Sequence, residues 1–180
     1  DESPNARDVA RNLAMVNEHP GKQATVTLTE SETRDTIDVT LRMKDENPLA
    51  IFSALQNNGN DSTGKWRLSV GMQHSNLFDR DQQLTLSYTT SPDEHQKDVS
   101  QYGAHWVIPF YGLAGTLSTY AVYSDVNSGR VAGFFDVAGR GSFTGARWTH
   151  RLLPVADVSQ TLALALDYKK YQNDVLFNGA

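Results

Sequence analysis

The stretch Gln56–Gln73, QNNGNDSTGKWRLSVGMQ, separates two readings of the chain. Gly59, Gly64 and Lys65 spell G-x-x-x-x-G-K, the opening of a phosphate-binding P-loop. That loop needs a helix starting directly after the Lys, so that backbone N–H groups converge on a phosphate, and a Ser or Thr to hold Mg²⁺. Trp66 follows instead. From there Trp66, Leu68, Val70 and Met72 alternate with Arg67, Ser69, Gly71 and Gln73, and a period of two is that of a strand. With a second strand-like run before it, the Gly-rich segment reads as the loop of a β-hairpin.

The alternation continues downstream. From Pro48 onward no helical period occurs, and about seven alternating runs of roughly 8–14 residues follow one another. They are LAIFSALQ, KWRLSVGMQH, QQLTLSYTT, SQYGAHWVIPF, GTLSTYAVYSDV, FTGARWTHRL and QTLALALDYKKY. Their connections come in two kinds. NNGNDSTG, SPDEHQKDV and NSGRVAGFFDVAGRGS are polar, and the first and last are Gly-rich; NLFDRDQ, PFYGLAG and LPVADVS are shorter and contain Pro or apolar residues. Long loops on one rim and short turns on the other are the habit of transmembrane β-barrels, and strands of this length suit a tilted membrane crossing.

One face of each run is large and apolar, the other small and polar. Leu162, Leu164, Leu166 and Tyr168 oppose Ala163, Ala165, Asp167 and Lys169; Leu84, Leu86 and Tyr88 oppose Thr85, Ser87 and Thr89. A soluble barrel would fill its interior with bulky apolar groups. The pattern suits the inverse, apolar groups toward lipid and polar groups toward a wet lumen, although an amphipathic strand looks the same either way round. Trp66, Phe78, Phe110, Tyr111, Tyr168 and Tyr171, near run ends, are expected at the interfacial girdles.

Residues 1–47 differ. Ser3 as a cap and Pro4 at the first helical position open a helix with Ala6, Val9, Ala10, Leu13 and Val16 on its apolar face, and Pro20 and Gly21 end it. QATVTLT and DTIDVTLRM then alternate as two strands joined by a charged turn, giving a small α+β unit with one covered sheet face. The chain has 180 residues, a net charge of −5, no Cys and no apolar run long enough for a membrane-spanning helix. Mixed charges leave no basic footprint for nucleic acid. It opens DESPNARD, without an initiator Met, and closes VLFNGA just past a run, so it reads as a fragment.

At this point the chain resembles the two-partner secretion transporters of Gram-negative outer membranes, the haemolysin secretion/activation (TpsB) family. Asn57, Gly59, Thr63 and Gly64, as N-x-G-x-x-x-T-G, with Arg67, resemble the family's first extracellular hairpin. Asn76, Leu77 and Phe78, with Arg80 and Leu84, resemble its Asn-Leu-Phe turn. The family usually has Gly where this chain has Asp79 and Asp81, and Asp where it has Gln82; Asp tolerates left-handed backbone, so the turn is expected to survive. RNLAMVNEHPGKQATVTL resembles the end of the second POTRA domain, the periplasmic module before the barrel.

The resemblance implies residues 1–47 as the C-terminal part of a POTRA domain and 48–180 as the first strands, about seven of sixteen, of an outer-membrane barrel. It implies export of one large partner protein of the TpsA type, a haemolysin or adhesin, whose N-terminal secretion domain is captured in the periplasm. Outer-membrane lipid is the other partner, and no cofactor is called for. Capture by β-augmentation on QATVTLT or DTIDVTLRM would be a physical route. The family's V-R-G-[YF] gating loop does not occur in these residues. Related alternatives are an outer-membrane assembly factor of the POTRA-barrel superfamily, a solute porin, or a soluble β-sandwich.

Other motifs are weaker. His19, His74, His95, His105 and His150 lack metal-ligand spacing, and DVNSG from Asp125 lacks the later acidic ligands of a calcium loop. GRGSFTG, from Gly139, has no Rossmann context, and no nucleophile elbow marks an enzyme. Arg67, Arg147, Asp167 and Lys169 are the candidate lumen-lining charges, weighed against simple solvation in a wet channel.

Overall fold

The computed structural model describes residues 6–31, 36–61, 63–93, 96, 99–125, 129–131, 135–137, 140–153, 155 and 158–171. Ser3, Pro4 and His95 lie outside these residues, as do most of DVNSG and the first residue of GRGSFTG. One helix, α1 (Ala6–Asn17), precedes a two-stranded antiparallel hairpin of β1 (Lys22–Glu30) and β2 (Ile37–Asp45). Gly21, with φ 95°, makes the turn into β1.

The rest is one antiparallel meander. Its strands are β3 (Leu49–Gln56), β4 (Arg67–Leu77), β5 (Gln82–Thr90), β6 (Ser100–Phe110), β7 (Gly115–Ser124), β10 (Gly141–Arg151) and β11 (Thr161–Tyr171). They lie in the order β11-β10-β7-β6-β5-β4-β3, so each strand neighbours its predecessor in the sheet. The long connection after β7 carries its own small hairpin, β8 (Gly129–Val131) and β9 (Phe135–Val137), where the sequence reading had only a loop. Val131, Phe135 and Val137 are strong strand formers, and the Gly and Ala residues among them broke up that signal. A short 3-10 turn, Tyr111–Leu113, joins β6 to β7.

The sheet's faces are inverted relative to a soluble fold. Ile51 is 81% exposed and Leu166 79%, whereas Thr89 and Gln101 are each 2% exposed. Thr85, Ser87 and Ser124 are buried on that same polar face. Antiparallel strands twist, and the curl of a broad sheet crowds side chains on one side while splaying them on the other. Here the crowded side carries Ser, Thr, Gln and Gly, whose hydroxyls and amides bond across strands. Ser69 Oγ lies 2.8 Å from Thr89 Oγ1, His105 Nε2 lies 2.8 Å from Ser118 Oγ, and Gln101 Nε2 donates to Ser124 Oγ at 3.2 Å.

Two expected girdle residues fall elsewhere. Tyr171 pairs with Gly141, which puts it on the polar face, its ring 5.4 Å from that of Phe143. Tyr111 sits in the 3-10 turn and donates to Asp81. Tyr171 follows the alternation that puts Asp167 and Lys169 on the polar face, and the 3-10 turn takes Tyr111 out of the strand. The apolar face instead carries a row of Tyr88, Tyr102 and Tyr123, with centroids 5.0 and 6.4 Å apart, at the long-loop end. Phe110 and Trp148 meet at 5.6 Å near the other end.

The helix–hairpin unit also departs from expectation. Its sheet face is covered only near Ala24; Leu28, Val39, Leu41 and Met43 stay exposed. On α1, Val9 and Ala10 are exposed and Met15 is buried; His19, just past the helix, is buried too. Contact with the rim of the large sheet selects that side of the helix, a tertiary choice that helical periodicity does not encode.

Candidate functional site

The loop between β3 and β4 closes as a hairpin tip. Gly59 N donates to Lys65 O (2.9 Å) and Asn60 N to Gly64 O (3.0 Å), while Asn60 Oδ1 accepts from Thr63 N and Thr63 Oγ1, both at 2.9 Å. Into this loop reaches the buried guanidinium of Arg67. Its Nη1 donates to the carbonyls of Thr63 (3.1 Å), Gly64 (2.8 Å) and Trp66 (3.0 Å), and its Nη2 to Thr63 Oγ1 (2.7 Å). Carbonyl oxygens converging on a cation are the reverse of a P-loop, in which N–H groups converge on an anion. Ser91 Oγ, from the next long loop, donates to Trp66 O at 3.0 Å and lies 2.9 Å from Asp93 Oδ1. Gly64 has φ 84°, and a Cβ there would stand 2.2 Å from Ser91 Oγ. Asn57 is exposed.

The turn between β4 and β5 is built on Asn76, whose Oδ1 accepts from Asp81 N at 3.0 Å. Phe78, Asp79 and Asp81 all take left-handed backbone, with φ of 58°, 54° and 57°. Asp bears that conformation at low cost; Phe78, 71% exposed, does not share that tolerance and escaped the sequence reading. Leu77 pairs with Gln82 across the turn, beyond a bulge that follows His74.

Of the four charges singled out from sequence, all share the polar sheet face. Arg67 is held by its loop. Asp167 accepts from Tyr120 Oη at 2.8 Å, across β10, where Gly145 leaves the room: a Cβ there would meet both partners at 2.5 Å. Arg147 and Lys169 lie exposed on either side of this pair. The structure therefore brings Arg147, Asp167 and Lys169 to one patch and sets Arg67 apart, four strands from β10 and at the loop rim.

A second constellation, with no sequence signal, joins the helix–hairpin unit to the short-turn rim. Lys22 Nζ is 2.5 Å from Asp81 Oδ1, and Tyr111 Oη donates to Asp81 Oδ2 at 3.0 Å. His19 Nε2 donates to the carbonyl of Ser75, in the β4 bulge, at 2.5 Å. Arg151, ending β10, forms a two-pronged bond with the Glu18 carboxylate. Desolvation pushes the Asp81 carboxyl up, but bonds from Lys22 and Tyr111, with the charges of Lys22 and His19, outweigh it and hold the group below its ordinary range. Desolvation, aided by the bond to Asp81, pushes the Tyr111 phenol well above its own. Between helix and sheet lies a cleft of about 110 Å³, lined by Met15, Glu18, His19, Val107, Tyr111 and Arg151 among others. Among the described residues no cluster of His, Cys, Asp or Glu could hold a metal ion, and no helix is long and apolar enough to cross a membrane.

A broad antiparallel meander with its apolar face outward and its hydroxyl-rich face inward is consistent with part of the wall of a membrane β-barrel. The family model described as haemolysin secretion/activation protein ShlB/FhaC/HecB matches residues 35–179, and the chain belongs to that family. No curated protein matches it. The family is one of outer-membrane proteins of two-partner secretion, which work with exoprotein partners.

Proposed function

We propose that the chain forms the first seven wall strands of a sixteen-stranded protein-exporting pore, with residues 1–47 as the C-terminal part of a periplasmic POTRA domain. The inverted sheet carries this reading: its crowded polar face supplies a wet wall along which an extended, large secreted client can slide without sticking. Hydroxyl and amide side chains bonded to one another, Ser69 with Thr89 and Gln101 with Ser124, offer few unpartnered groups to trap a passing peptide.

Lipid contact is supported by the aromatic rows. Tyr102 and Phe110 are eight residues apart on β6 (110 − 102), about 27 Å along a strand. With a tilt of roughly 40° the height is roughly 20 Å, near that of an outer-membrane apolar band. The client's N-terminal secretion domain would be captured in the periplasm on an open edge of the β1–β2 hairpin, whose two strands pair, among the described residues, with each other alone.

The test uses the full-length transporter and its exoprotein client. Asp167→Asn and Lys169→Glu should shift the ion selectivity of the reconstituted pore in planar bilayers toward anions and cations respectively. Unchanged selectivity in both would remove these residues from the lumen.

A further inference from the structure

The helix–hairpin unit is tied to the sheet by one covalent linker, residues 46–48, between β2 and β3. A single tether leaves a rigid body free to swing, so what fixes its angle must lie away from the tether. The backbone bonds Glu46 N to Gly21 O and Ser75 N to Pro48 O, both 2.8 Å, stiffen only the linker's own surroundings. Three side-chain contacts reach further: His19 to Ser75 on β4, Lys22 to Asp81 in the β4–β5 turn, and Glu18 to Arg151 at the end of β10.

Arg151 matters through its lever arm. From β4 to β10 the order β4-β5-β6-β7-β10 takes four strand spacings, up to roughly 19 Å across the sheet. Three points that do not lie on one line define an orientation, and these three are spread along the rim. Asp81 is the junction of two elements, since one carboxylate oxygen takes the Lys22 ammonium and the other the Tyr111 hydroxyl. Its own backbone is held by Asn76.

We propose that Asp81 and Arg151 are positioning residues that set the angle of the helix–hairpin unit against the short-turn rim. They hold the end of α1 and the turn after it, with Met15 and His19, beneath the polar face, where both line the cleft with Val107 and Tyr111. The consequence for export rests on the proposed lumen; the positioning itself does not. Whatever the helix–hairpin unit receives is then delivered at one fixed point of the polar face, next to β5, β6 and β7. Opening that point requires the Glu18–Arg151 pair to part while the linker stays intact.

The experiment is a pair of spin labels on the full-length protein in lipid, at Asn12→Cys on α1 and Thr144→Cys on β10, both exposed. The otherwise parental protein should give one narrow distance distribution. Combining Asp81→Asn with Arg151→Met should broaden it into several overlapping distances with strand content by circular dichroism unchanged. Arg151→Met alone should already broaden it, and the exchange Glu18→Arg with Arg151→Glu, on the parental Asp81, should restore the narrow distribution, which a merely structural loss at Arg151 would not do. A distribution that stays narrow in the Asp81/Arg151 variant, or an exchange that fails to restore it, overturns the proposal. Should the distances behave as expected while the Asp167 and Lys169 variants leave selectivity untouched, the positioning stands and the lumen reading falls.

Discussion

Lys22 and Asp81, 59 residues apart in sequence, meet at 2.5 Å with both side chains about four-fifths shielded from solvent. A strand of the helix–hairpin unit is thereby joined to a turn of the large sheet. Because the pair is shielded and Asp81 also accepts from Tyr111, replacing Asp81 with Ala strands two donors at once. The expected cost is about 2–4 kcal/mol of local stability, above that of an exposed ion pair. Faster amide exchange in β1 than in β5 would register it.

The same junction has a pH window with two ends. Asp81 titrates below its ordinary 3.8 in the folded state, so its contribution is present above that value and is lost as pH falls through the lower folded value. Tyr111 titrates above its ordinary 10.0, so its contribution is complete below 10.0 and is lost as pH rises toward the higher folded value. Lys22, His19 and the two partners themselves are the groups that face one another here. Exchange protection of β1 should therefore be flat between about pH 5 and 9 and fall on both sides. A Tyr111→Phe variant should keep the acid limb and lose the alkaline one.

Arg67 should not tolerate Lys. One ammonium cannot span Thr63, Gly64 and Trp66 as the guanidinium fork does. Arg67→Lys is expected to destabilise the hairpin by about 1–2 kcal/mol and Arg67→Ala by about 2–4 kcal/mol, because buried carbonyls lose their donor. Amide exchange at Gly59 and Asn60 reads the effect directly.

Gly64→Ala should be costly for two separate reasons. The left-handed φ of 84° costs about 1 kcal/mol for a residue with a Cβ, and the added methyl meets Ser91 Oγ at 2.2 Å. Adding Ser91→Gly should recover only part of the steric cost, since the Asp93 carboxylate also stands 2.4 Å from that Cβ, and should leave the backbone part, which denaturant unfolding of the double variant reads.

The inversion of the sheet can be tested with one residue step along β11. Leu166→Arg places a charge at mid-strand on the exposed apolar face and should cost about 2–4 kcal/mol in a bilayer. Ala165→Arg, on the polar face, should cost less than about 1 kcal/mol. Folding yield into lipid vesicles compares them, and equal costs would contradict a lipid-facing outer wall.

By itself the sequence determined the long strands, the two chemistries of their faces and the hairpin at residues 57–66, but not the short β8–β9 hairpin. All of these rest on local terms: period-two alternation, Gly at a left-handed position, and the absence of a helix start after Lys65. The left-handed backbone at Asp79 and Asp81 was legible for the same reason, since Asp pays little for it. What tertiary structure alone decided is which groups meet. Register put Asp167 under Tyr120 and arranged Tyr88, Tyr102 and Tyr123 in a row. The contacts of Lys22 with Asp81 and of Glu18 with Arg151 span 59 and 133 residues. No local pattern encodes such separations, because a side chain's partner across a rim depends on strand order and twist. The sequence therefore carried the strands and the two chemistries of their faces, and only the assembled sheet decided which face is exposed and which contacts hold the helix–hairpin unit against it.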